Sequence, residues 1–71
     1  MKYLIVNSDD NETFYELADI DKIVSDYAMN LFSESDLRGN DIKPIEMLTV
    51  IRFNNNSTDT FTTSNLEMYF E

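Results

Sequence analysis

Carboxylates are the reactive groups this chain holds in quantity, and several fall in close pairs: Asp9/Asp10, Asp19/Asp21 and Glu34/Asp36. Paired carboxyls perform general acid–base chemistry when an apolar setting raises the pKa of one of them. None of these pairs lies among apolar residues, and 71 residues supply little material for a substrate pocket. The serines have no imidazole to activate them, because the chain contains no histidine. The absence of cysteine removes thiol chemistry, disulfides and thiolate zinc sites as well. A calcium loop starting at Asp9 places Asn11 and Thr13 at its third and fifth positions. It then offers Phe14 where glycine is required and Ile20 where the bidentate glutamate belongs. A single glycine makes no phosphate-cradling loop. The expectation is a protein that is not an enzyme and uses no cofactor and no metal.

Charge gives the chain its character. Fourteen acids against five bases leave a formal net charge of −9. The bases (Lys2, Lys22, Arg38, Lys43 and Arg52) are scattered. They form no cationic stripe of the kind that displaces counterions from nucleic acid or docks on an anionic membrane. Between Asn7 and Asp36 nine acids face Lys22 alone, whereas residues 37–71 are nearly balanced. Such a field favours encounter with a basic protein surface. No run approaches the ~20 apolar residues of a membrane span. The apolar stretch Tyr3-Leu4-Ile5-Val6 is cut off by the polar cluster from Asn7 to Glu12, short of a secretory core. A cytoplasmic location is expected.

Local patterns then suggest the elements that position these groups. Tyr3–Val6 reads as a short buried strand, and Thr13–Leu17 as its hairpin partner, although Thr13-x-x-Glu16 also fits a helix capping box. Ile20, Ile23, Val24, Tyr27, Ala28 and Leu31 fall at i, i+3, i+4, i+7, i+8 and i+11, which predicts one amphipathic helix with Asp19 at its N-cap. That helix ends near Ser33, or frays on to Gly39. Residues 38–44 form a connector, and Pro44 biases Lys43 away from helix. Ile45–Phe53 is apolar on both faces and reads as a central strand. Asn54–Asp59 is a turn. Thr60–Thr63 returns as the second arm, and Leu66, Met68 and Phe70 alternate as a last strand after a corner at Ser64-Asn65, although Ser64-x-x-Glu67 also fits a capping box for a short final helix. No internal repeat appears. The expected fold is α+β: a single domain over residues 1–71 in β-β-α-β-β order, an antiparallel sheet with one amphipathic helix packed on it.

On that helix Met29 projects to the polar side and Phe32 to its flank, an apolar contact among acids. The expected partner-binding residues are therefore Asp9, Asp10, Glu12, Asp21, Asp26, Met29, Phe32 and Glu34. Two functions fit. One is a small acidic inhibitor or regulator that docks on another protein's basic, nucleic-acid-binding surface, its carboxylates standing in for phosphates. In composition alone the chain is similar to the acidic proteins by which phages and other mobile elements block restriction or CRISPR nucleases. The other is a structural or assembly module, such as an antitoxin, an accessory subunit or a homodimer joined through the sheet face the helix leaves bare. In that case the acid serves only solubility. Convergence of the acids on one face separates the two.

Overall fold

The computed structural model describes residues 2–71. β1 (Tyr3–Ser8) and β2 (Asn11–Glu16) form a hairpin closed by two residues, Asp9 and Asp10, both left-handed at φ 50° and 67°. That turn matches the right-handed twist of the flanking strands, and aspartate tolerates it through local hydrogen bonding. A 3-10 turn at Leu17–Asp19 rounds a corner into β3 (Ile20–Tyr27). Two short helices follow, α1 (Ala28–Leu31) and α2 (Glu34–Gly39). β4 (Met47–Phe53) and β5 (Thr58–Thr62) make a second hairpin, a second 3-10 turn spans Thr63–Asn65, and β6 (Leu66–Phe70) completes the chain of elements.

The strands build two antiparallel sheets, β2-β1-β6 (sheet A) and β3-β4-β5 (sheet B). Each hairpin thus gives its following strand to the other sheet: β3 pairs with β4, and β6 pairs with β1. The registers correspond. Leu4 lies between Tyr15 and Phe70, as Thr49 lies between Phe61 and Ser25. Val6 lies opposite Met68, as Ile51 lies opposite Ile23. Two halves with little sequence in common therefore follow one plan of hairpin, 3-10 corner and exchanged strand.

Side chains alternate across a strand, so alternate residues of each sheet meet between the layers. Leu4, Val6 and Ile51 are buried there, with Tyr15, Leu17, Ile20, Ile23, Phe53, Phe61 and Leu66 packed around them. Tyr15 and Phe53 rings lie 5.4 Å apart, and the Tyr15 hydroxyl donates to Asp59 Oδ2 at 2.7 Å, bridging the two hairpins. Thr49 is the one fully buried polar residue among those described. Its hydroxyl is satisfied by Ser25 at 2.8 Å and Thr63 at 2.9 Å, as a buried polar group requires. A second, smaller core of Ala28, Leu37 and Leu48 lies beneath α1 and α2, flanked by Leu31, Phe32 and Ile42.

The α+β class holds, but the expected order and the single helix do not. Residues 20–27 are strand, and two short helices lie where one long helix is predicted. The cause is a bulge between Ile20 and Lys22. It puts both Ile20 and Ile23 on the inner face, opposite Phe53 and Ile51, and so imitates i, i+3 spacing. Val24 is also half-buried, in a groove with Leu31, Phe32 and Val50 on the outer face, which supplies the i+4 term. Tyr27 is exposed rather than core. Helix begins only at Ala28, where Asp26 Oδ1 accepts from the Tyr27 N–H and from Asn30 Nδ2. α2 then starts at Ser33, whose hydroxyl accepts from the Asp36 N–H, and it runs to Gly39.

Candidate functional site

Sheet A has one face in the core and one face bare. Register fixes what the bare face displays. Glu12 and Glu67 both lie opposite Asn7, and Phe14 and Tyr69 both lie opposite Ile5. Glu16 lies opposite Tyr3, and reciprocal main-chain hydrogen bonds between Tyr3 and Glu71 place Glu71 on its other side. Nine residues thus form three rows of three, with a glutamate at every corner and a Phe14–Ile5–Tyr69 row through the middle. Strand spacing and rise set the corners about 10 Å apart across the sheet and about 13 Å along it.

The middle of this face is apolar and open. Phe14 is 54% exposed, Tyr69 48% and Tyr3 38%, yet Ile5 beneath them is only 2% exposed. The aromatic side chains roof the isoleucine, and Tyr3 meets Phe14 edge-on at 6.4 Å. Partial desolvation, followed by the charges of Glu12, Glu71 and Glu67 and a hydrogen bond to Glu12, pushes the Tyr69 phenol above its usual range. No lysine or arginine lies on β1, β2 or β6. At the hairpin tip Asp9 and Asp10 line a shallow cleft with Asn7, Ser64 and Glu67, continuing the negative surface around the end of the sheet.

The eight residues expected to bind a partner are divided between the two sheets. Asp9, Asp10 and Glu12 belong to sheet A and its tip. Asp21 sits in the β3 bulge, 3.8 Å from Arg52 Nε in a half-exposed ion pair worth about 0–1 kcal/mol. Asp26 closes the start of α1, and hydrogen bonds from Asn30 and then from the Tyr27 N–H hold its carboxyl below the usual range. Met29 is exposed on α1, Phe32 packs into the core beneath the helices, and Glu34 opens α2. Asp26 lies opposite Leu48 and therefore on the outer face of sheet B, the other side of the molecule from Glu12.

Sequence reasoning misses Glu16, Glu67, Glu71, Tyr3, Phe14 and Tyr69. A signal for them exists: Glu12-Thr-Phe-Tyr-Glu16 and Glu67-Met-Tyr-Phe-Glu71 share the pattern Glu-x-aromatic-aromatic-Glu. The two copies flank β1 side by side. Among the described residues no group of three or more potential ligands is arranged to hold a metal ion, and no helix is long and apolar enough to cross a membrane. No protein-family model matches the chain, and comparison with curated proteins and with solved structures finds no match.

Proposed function

We propose that this is a non-catalytic protein-binding module of the cytoplasm that docks on a basic surface of another protein through the bare face of sheet A. The observation that carries the reading is the four-cornered arrangement of Glu12, Glu16, Glu67 and Glu71 around exposed Phe14 and Tyr69. Aromatic side chains at the centre of a patch with charge at its rim are the usual anatomy of a protein interface. Lys2 shares a cleft with Tyr3 and Glu16 at one edge of this face, and the excess of carboxylates over it speeds encounter with a positive partner and repels a second copy. Self-association through this face would set glutamates against glutamates, which disfavours the homodimer reading here.

The test is comparative capture from lysate with three tagged forms: the wild type, Glu12/Glu16/Glu67/Glu71→Gln, and Phe14/Tyr69→Ala. A basic protein held by the wild type, released by moderate salt and lost from both variants supports the reading. Partners retained equally by all three forms overturn it. Competition by duplex DNA for the captured partner then tests the narrower reading, inhibition of a nucleic-acid-binding protein by phosphate mimicry.

A further inference from the structure

The two halves share one plan, but only one has its outer face covered. In register, Tyr3 and Ile5 of β1 correspond to Leu48 and Val50 of β4. Leu48 is 4% exposed because α1 and α2 lay Ala28, Leu31, Phe32 and Leu37 over it. The chain supplies that cover between β3 and β4; no described element covers the corresponding place on sheet A. Resting on the reading above, we propose that the bare face of sheet A is completed by a cationic amphipathic helix of the partner protein, seated where α1–α2 sit on sheet B.

The chemistry of the occupant follows from the face. An apolar stripe on the helix covers the Phe14–Ile5–Tyr69 row. Lysines or arginines on both flanks of that stripe reach the corner glutamates, which stand about as far apart as a helix is wide. Cationic side chains also interact favourably with the exposed rings. A second copy of this chain does not qualify, because its own helical segment, Ala28–Gly39, carries Glu34 and Asp36 against Arg38 alone. An extended strand is the competing occupant. It would pair with a sheet edge and leave the centre of the face open.

Two designed peptides of identical composition decide the matter. In one, leucines recur at helical spacing with lysines on both flanks; in the other, the same residues are permuted so that no stripe forms. The stripe peptide is expected to bind at least tenfold tighter, to gain helical circular dichroism on binding, and to shift the amide resonances of Ile5, Phe14 and Tyr69. Phe14→Ala, at an exposed position, should weaken it about tenfold with the spectrum of the free protein otherwise unchanged. Glu12/Glu67→Gln should flatten its salt dependence. Equal affinity for the permuted peptide, binding without helix, or shifts confined to sheet B would each overturn the proposal. The first two outcomes, if seen at sheet A, leave the basic-partner reading standing, and the capture experiment judges that reading separately.

Discussion

Sheets A and B are built alike and covered differently. Both put an aliphatic central strand between two partners, and both bury its inner face against the other. They differ in polar detail and in cover. Where sheet A has Leu4, sheet B has Thr49 tied to Ser25 and Thr63. Where sheet A shows carboxylates alone, the outer face of sheet B carries Lys22 and Arg52 side by side. Sheet B is roofed by two helices, while sheet A is roofed only by its own aromatic rings. One plan thus serves twice, once as a closed structural unit and once as an open surface.

If the two sheets share one core, removing buried volume from either should unfold both. Ile51→Ala and Leu4→Ala are each expected to cost about 2–5 kcal/mol in urea unfolding, a large part of what a domain this small possesses. Two separate transitions would break the comparison by showing that the sheets melt independently. Thr49→Val should cost less, about 1–3 kcal/mol, because it strands two hydroxyls at the one polar point of the core.

The bridge between hairpins should be visible in alkali. Burial, then the hydrogen bond to Asp59 and its charge, push the Tyr15 phenol above its ordinary value near 10. The folded state therefore keeps this proton after the unfolded state has lost it. The contribution is whole below pH 10 and declines as pH rises from there through the folded pKa. Tyr15→Phe should lower stability at neutral pH and remove that decline, as followed by thermal midpoints from pH 8 to 12. On the open face, Glu12/Glu16/Glu67/Glu71→Gln should slightly raise the thermal midpoint at low salt, by relieving repulsion, and bring the Tyr69 titration back toward normal. Least of all, Gly39→Ala should stabilise α2 by about 0.5–1 kcal/mol. The added methyl meets nothing within 4 Å, and this glycine is not in the left-handed region.

Much of the fold is legible in the sequence. Both hairpins, the Asn-rich turn, the two-faced central strand and the corner before the last strand follow from alternation and turn chemistry, although the strand expected from Ile45 begins only at Met47 and leaves Ile45 exposed in a turn. β3 is not legible, because a bulge at Asp21 and burial on both faces reproduce the spacing of a helix. Reading 20–31 as a single helix also hides Ser33-x-x-Asp36, the signal that opens α2. The bare face of sheet A is half legible. Its residues stand in two copies of one five-residue pattern, but adjacent aromatics occur in each. Only the register against β1 shows that Phe14 and Tyr69 point outward while Tyr15 and Phe70 lie on the other side.

The exchange of strands has a consequence in time. β3, β4 and β5 are consecutive, so sheet B pairs over short stretches of chain. β1 instead waits for β6, and its Leu4 meets Phe70 only across a segment that holds all of sheet B. Closing a loop of that length is entropically unfavourable and slow relative to local pairing. Sheet A is therefore the later of the two sheets to be completed, because its third strand closes across every strand of sheet B. Without β6 the outer face would lose Glu67 and Tyr69 together, and Ile5 would lose one of its two flanking strands.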